Sequence, residues 1–238
     1  MFVMPNPWDR GSALQLEKLG FKALATSSAG LGRAIGKDDQ QATRPELIQH
    51  VAELTEVLTV PLSVDSERLY PGDAGGIAVT VRMLADAGAA GCSIEDYDPE
   101  SGSIDPLEKA ASAVAEAASA CADHGLVLTA RAENHLYGFF DIDDTIERLV
   151  AYRDAGAEVL YAPGLTEAAD IDKVVRAVRS PINVLTDPQG PTLDDLAALG
   201  VQRVSTGSSL YNTSRRTLIA AAEDLIESGR SDFANWRK

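Results

Sequence analysis

The sequence predicts an α/β protein folded as a (β/α)8 TIM-type barrel, and three features of the chain carry that prediction. Eight short apolar runs alternate with eight helical patterns. Five of the helix-to-strand junctions hold glycine, at Gly20, Gly88, Gly125, Gly156 and Gly200, where a left-handed residue turns the chain out of one helix and into the next strand. Three runs stop abruptly in charge: Pro61-Leu-Ser-Val-Asp65-Ser-Glu67, Gly91-Cys-Ser-Ile-Glu95-Asp96 and Leu128-Thr-Ala-Arg131-Ala-Glu133. Regular alternation of strand and helix demands parallel strands joined by right-handed crossovers. An open doubly wound sheet is the alternative, but eight even units favour closure and no glycine-rich dinucleotide fingerprint follows the first run. The Gly/Ser stretches that begin at Ser27 and Ser205 are not Walker loops.

In chain order, a first strand is expected at Phe2–Met4 and a first helix at Ser12–Leu19, stopped by Gly20. The second strand, Ala23–Thr26, leads to a helix over Pro45–Leu58 with Thr43 as its cap. Pro61 takes the place of glycine before the third strand, Leu62–Asp65, and the helix Gly75–Ala87 follows. The fourth and fifth pairs are Gly91–Glu95 with Pro106–Asp123, and Val127–Glu133 with Asp144–Ala155. The sixth is Val159–Ala162 with Glu167–Val178, capped by Thr166. The seventh, after Pro181, is Ile182–Leu185 with Leu193–Leu199, capped by Thr192. The eighth is Arg203–Thr206 with Ser208–Glu227. No linker or low-complexity segment interrupts this order, so residues 1–227 are expected to form a single barrel domain closed by the helix 208–227. A polar tail, 228–238, is expected to follow, with Trp236 either an unsatisfied aromatic or a plug against a neighbouring subunit.

Composition narrows the function. A hydrophobic content of 45% supports one substantial core, and a formal net charge of −15 repels nucleic acid and anionic membrane surfaces. A small anionic substrate therefore needs a local positive pocket. Cys92 within an apolar strand and Cys121 on a helix offer neither a disulfide framework nor metal-ligand spacing, which suits a reducing compartment. The chain shows neither a targeting leader nor 18 consecutive apolar residues, so a soluble cytoplasmic protein is expected.

The acidic strand endings carry the chemistry. An apolar strand cannot easily bury a carboxylate, so the acids project where the strands leave the sheet, and parallel strands all leave on one face. That face is the active-site end of a barrel. Converging carboxylates repel one another unless a cation lies among them, and an all-oxygen set points to a hard metal such as Mg²⁺. The side chains expected at this mouth are Ser27, Asp65, Glu67, Glu95, Arg131 and Glu133, with His135 and Asn183 as further candidates. The two-residue spacing puts Asp65 with Glu67, and Arg131 with Glu133, on one side of their strands. A Mg²⁺ ion held by Asp65, directly or through waters by Glu67 and Glu95, would leave positions for an incoming 2-oxo acid, and Arg131 would balance the charge that develops on it. His135 is either a general acid/base or a loop hydrogen-bonder. A Schiff-base aldolase would need a lysine at a strand end, and none is there.

These residues resemble the isocitrate lyase/phosphoenolpyruvate mutase superfamily. The resemblance runs from Pro5-Asn-Pro-Trp-Asp9 and Gly20-Phe-Lys-Ala-Leu-Ala-Thr-Ser-Ser-Ala-Gly30 through Gly91-Cys-Ser-Ile-Glu-Asp96 and Thr129-Ala-Arg-Ala-Glu-Asn134. It continues at Pro181-Ile-Asn-Val-Leu185 and Arg203-Val-Ser-Thr-Gly207. It implies a barrel that binds Mg²⁺, or Mn²⁺ in its place, and stabilises a pyruvate-like enolate while a C–C or P–C bond breaks. Ser27 with the amides of Ser28 and Ala29 would receive a substrate carboxylate. Asp39, Asp65, Glu67 and Glu95 would form the metal environment, and Arg131 would contact substrate. A homotetramer or dimer with the last helix packed on a neighbour is also implied. The chain departs from the family in its loops. Asp98-Pro-Glu-Ser-Gly-Ser103 stands where lyases carry Lys-Lys/Arg-Cys-Gly-His, and the lysine and asparagine of the phosphonomutase loop are missing as well. Glu67-Arg-Leu-Tyr-Pro-Gly72 replaces the usual acidic-loop sequence, and Ala162-Pro163-Gly164 replaces a strand-six histidine or glutamate. The expected reaction is C–C cleavage or decarboxylation of a small oxo- or hydroxy-dicarboxylate. The alternatives are a phosphonopyruvate-type mutase or hydrolase, for which Arg33 and Arg68 are the extra cations, and a non-catalytic metabolite-binding barrel.

Overall fold

The computed structural model describes residues 1–229, so Trp236 and most of the expected tail lie outside the described residues. Eight parallel strands form the barrel: β1 (Phe2–Met4), β2 (Leu24–Ala25), β3 (Leu62–Val64), β4 (Gly91–Glu95), β7 (Val127–Arg131), β8 (Val159–Tyr161), β9 (Ile182–Leu185) and β10 (Arg203–Ser205). A short antiparallel hairpin, β5 (Tyr97–Asp98) with β6 (Ser103–Ile104), is inserted after β4. Strand order around the sheet is β1-β10-β9-β8-β7-β4-β3-β2. The seam between β1 and β2 is joined by Ala25 N–H donating to the Pro5 carbonyl at 3.1 Å and by the Asn6 side-chain amide donating to the Thr26 carbonyl at 2.7 Å. The eight units of the sequence reading are all present. All five junction glycines adopt positive φ, and the carbonyls of Pro61 and Pro181 accept from Leu24 and Leu160 on neighbouring strands.

The helices are α1 (Arg10–Lys18), α2 (Ser28–Ala34), α3 (Arg44–Thr55), α4 (Gly76–Asp86), α5 (Leu107–His124), α6 (Ile142–Asp154), α7 (Ala168–Val178), α8 (Leu193–Ala198) and α9 (Ser209–Ser228). Their inner faces follow the 3.6-residue period: Leu47, Val51 and Leu54 on α3, Ile77, Val81 and Leu84 on α4, and Ile171, Val174 and Val178 on α7 are all buried. They pack on alternate strand residues such as Val64, Ile94, Leu128, Leu160 and Val204, so the apolar core is a sleeve between strands and helices. Both cysteines belong to it, with Sγ atoms 3.5 Å apart. No helix among the described residues is long and apolar enough to cross a membrane.

Three local features differ from the sequence reading. Thr43 and Thr192 sit at their caps as expected, but α7 starts after Glu167, so Thr166 is not its cap. The fifth barrel strand ends at Arg131, not Glu133. The loop after β2 contains α2, hidden from pattern reading because Gly30 and Gly32 weaken helix propensity. Gly32 is needed there, since a Cβ would stand 2.7 Å from the Asp38 carbonyl oxygen. The last helix, α9, matches its expected span but buries no residue, leaving Leu218 at 70% and Ile226 at 83% exposure.

β4 and β7 approach closely at Gly91, where a Cβ would lie 2.7 Å from the Val127 carbonyl oxygen, a backbone atom that cannot rotate away. Gly91→Ala is therefore expected to lower stability by about 1–3 kcal/mol, as overpacking does. The check is a urea midpoint that moves down with an unchanged slope.

Candidate active site

The strand residues that alternate with the apolar sleeve line the barrel bore. They are Ser63 and Asp65, Ser93, Thr129 and Arg131, Tyr161, Asn183 and Leu185, and Arg203 and Ser205. Most are polar or small, so the bore is not filled. It holds a cavity of about 250 Å³, whose wall is completed by Ser27, Ser28 and Ala29, and by Arg33, Asp39, Leu136 and Pro163.

Arg131, the last residue of β7, organises this wall. Its Nε donates to Glu133 at 2.7 Å, Nη1 donates to Asp65, and Nη2 lies 3.3 Å from Glu95, its register partner on β4. Its guanidinium carbon is 5.4 Å from the centre of the Tyr161 ring. Asp65 is fixed as firmly. The Ser28 amide and hydroxyl donate to its Oδ2 at 2.9 and 3.0 Å, and the Ser93 hydroxyl reaches Oδ1 at 3.3 Å. Ser27 caps α2, its hydroxyl accepting from Gly30 N–H at 3.2 Å.

On the other side of Arg131 lies a second cavity of about 560 Å³, with Gln40, Glu67, Arg68, Tyr70, Glu95 and Asp96 among its walls. The four acids of the sequence reading are spread over these two adjoining walls, close enough for the Asp65 charge to raise both Glu67 and Glu95. Asp39 and Asp65 line the first and Glu67 and Glu95 the second, with Arg131 bordering both. β3 ends at Val64 and Glu67 takes a φ of +49°, outside strand geometry, so strand alternation does not itself place Glu67, yet the Asp65 charge still reaches it. Glu95 instead accepts from the Gln40 side chain at 2.6 Å. Ser27, Ser28, Ala29, Asn183 and Arg131 do line the first cavity together, as expected. His135 lies off both walls: its ring packs edge-on against Phe140, and its buried Nε2 has no partner among the described residues. Arg68 is tied to Asp98 and Asp105 beside the inserted hairpin, away from the first cavity, whereas Arg33 lines it.

Sequence reading missed Arg203, Tyr161 and Gln40. Arg203 could have been found as a charge opening a short apolar strand, two residues before Ser205 and so on the same face. Tyr161 and Gln40 carried no such mark.

Burial lifts Glu95 well above the usual carboxylate range, with Arg131 opposing and Glu133 and Asp65 adding to the rise. Burial also raises Glu133 and Asp39, and it lifts Glu67 to about 8, with Asp65 and Asp39 contributing. For Arg131, burial works against the charge, yet Glu133, Asp65 and Glu95 overcome it and hold the guanidinium well above its ordinary range. Five carboxyl groups thus surround one internal cation. Among the described residues no three His, Cys, Asp or Glu side chains form a ready-made metal cage. The donor chemistry nonetheless fits a hard divalent cation held by one direct carboxylate and others through water, because Asp65, Glu95 and Glu133 outnumber the one guanidinium with which they pair.

The fold is an α/β barrel with an arginine-centred carboxylate wall at its mouth, and comparison with known proteins gives its family. The sequence model of phosphoenolpyruvate phosphomutase matches residues 1–226, and the chain belongs to that family, whose wider superfamily contains lyase, decarboxylase and mutase members. An uncharacterized protein of Mycobacterium tuberculosis is 37% identical over 213 residues, covering 89% of this chain and 79% of its own. The oxaloacetate decarboxylase of Paraburkholderia xenovorans is 31% identical over 238 residues, covering 95% and 78%. A solved structure from Burkholderia cenocepacia J2315, described provisionally as a lyase/mutase, superposes with a TM-score of 0.93 at 43% identity, covering 98% of this chain and 86% of that one.

The charge surplus has a pH signature. Below pH 4.5 Glu67 is protonated in folded and unfolded chains alike, but between 4.5 and about 8 the unfolded chain releases a proton that the folded chain retains. Stability therefore falls as pH rises through that window, and the loss is complete above it. In EDTA the melting temperature is expected to decline from pH 5 to 8, and Glu67→Gln is expected to flatten the decline. A variant that tracks the parent at every pH would refute the assignment.

Proposed function

We propose that this protein is a Mg²⁺-dependent lyase or decarboxylase that cleaves a C–C bond of a small oxo- or hydroxy-dicarboxylate through an enolate. The observation that carries the reading is Arg131, locked by Asp65, Glu95 and Glu133 on the wall of a cavity that also presents Ser27, Ser28, Ala29 and Asn183. The likeness to an oxaloacetate decarboxylase at 31% identity supports it from a second direction.

In a 2-oxo acid such as oxaloacetate, cleavage of the C3–C4 bond releases CO2 and leaves its electron pair as a C2–C3 double bond while the carbonyl π pair moves onto the 2-oxo oxygen. The transition state therefore carries more negative charge there than the substrate does, and a proton from solvent completes the product. Arg131 faces that charge with its donors already oriented by three carboxylates, so little reorganisation is needed during the reaction. Ser27, Ser28 and Ala29 receive the adjacent carboxylate, and the Asn183 amide fixes the remainder of the substrate. Glu95 and Glu133 act through Arg131 as positioning groups. Mg²⁺, or Mn²⁺ in its place, would be held by Asp65 with Asp39, Glu67 and Glu95 around it and supplies Lewis-acid polarisation of the substrate oxygen. His135, off the wall, takes part only through movement of the segment it shares with Leu136. Assembly into a homo-oligomer is part of the proposal, supported by the apolar side chains that α9 leaves in solvent. Cytoplasmic residence is part of it too, supported by two unpaired cysteines.

Incubation with Mg²⁺ and a panel of oxaloacetate and substituted malates is expected to release pyruvate or a related 2-oxo acid, and EDTA is expected to stop it. Absence of turnover across the panel together with indifference to EDTA would sink the proposal. Asp65→Asn should lower kcat by about a hundredfold or more, with an unchanged circular dichroism spectrum because Asp65 lines the cavity instead of the apolar sleeve.

A further inference from the structure

Arg203 is 8% exposed and opens β10 inside the bore, two residues short of the strand's exit. Its Nε donates to Asn183 Oδ1 at 2.9 Å and its Nη2 to Thr129 Oγ1 at 2.8 Å. Both acceptors are neutral. Among the described residues its hydrogen bonds run through Nε and Nη2 alone and no carboxylate pairs with it, while the side chain lines the first cavity. The contrast with Arg131 is direct, since that guanidinium is neutralised by three carboxylates.

The two arginines stand on one register row. Strand pairing aligns Arg131 with Tyr161, Tyr161 with Asn183, and Asn183 with Arg203. Arg131 is the last residue of its strand and Arg203 the first of its own, so strand stagger carries the row from the mouth down into the bore. Burial presses the Arg203 guanidinium down to about 10, which leaves it charged at neutral pH. A buried charge without a counter-ion is costly and is relieved by an anion. The rest of the described bore offers none at that depth, because Ser63, Ser93, Thr129, Asn183 and Ser205 are neutral.

We propose that Arg203 forms an anion subsite at the floor of the cavity, where it takes a second carboxylate of the substrate and so selects dicarboxylates over monocarboxylates. This inference rests on the reading of the cavity as a small-acid site. A carboxylate that survives the reaction has the same charge in the substrate and in the transition state, so Arg203 binds both alike. Its removal therefore raises KM and spares kcat.

The test is calorimetric binding of malate and of lactate, which is the same 2-hydroxy acid without the second carboxylate, to the full chain in Mg²⁺ buffer. The parent protein is expected to prefer malate. Arg203→Gln is expected to weaken malate roughly tenfold to a hundredfold, as loss of a charged hydrogen bond does, and to leave lactate unchanged. Arg203→Lys, which keeps the charge and serves if the glutamine variant does not fold, is expected to weaken malate severalfold with lactate again unchanged. Equal affinity of the parent for both acids, or parallel loss of both in the variants, would overturn the subsite and leave the small-acid reading standing. Failure of the parent to bind either acid would overturn both.

Discussion

The site depends on one buried guanidinium. Arg131 draws Asp65, Glu95 and Glu133 from the exits of β3, β4 and β7 to a single point, and without a cation there those carboxyls would repel one another. The interaction is not a stability device in the ordinary sense, because burial of ion pairs seldom gains much over apolar packing. Its value is orientation. Each nitrogen of the guanidinium has a carboxylate partner, and Asp65 in turn is held by the backbone and hydroxyl of Ser28, so the end of β7 and the start of α2 are tied together.

That tie explains why the chamber is divided. Arg131 stands between a cavity inside the bore and a larger one under the inserted hairpin, and the acids distribute themselves on both sides of it. The hairpin has its own anchors: Arg68 to Asp98 and Asp105, and Asp96 accepting from Tyr152 at 2.6 Å and from Arg148 at 3.1 Å. The loop that departs most from the family pattern is therefore moored to the barrel by charge. A polar bore is the second consequence. Where many barrels fill their centre with branched apolar side chains, this one carries serine, threonine, asparagine and arginine and keeps its apolar mass in the outer sleeve.

Much of this was legible from residue order. Glycine after a helix, proline before a strand and charge at a strand's end each act within a few residues, and each was recovered in place: Gly20, Gly88, Pro61, Pro181 and the Arg131–Glu133 pair. The misreadings arose where local rules met a long-range contact. Glu67 was assigned by strand alternation, but its backbone had already left the strand. Helix α2 was unreadable because Gly32 answers to the Asp38 carbonyl across the loop and not to helix propensity.

From sequence alone, period and punctuation determined eight strand–helix units, the face on which the acids gather, and a resemblance strong enough to imply the family. Which acids share a chamber, and that Arg203 stands uncompensated beneath Arg131, only the tertiary structure decided. The reason is physical: alternation along a strand specifies inside or outside, but the depth of a residue in the bore depends on how neighbouring strands are staggered, and that is a property of the closed sheet.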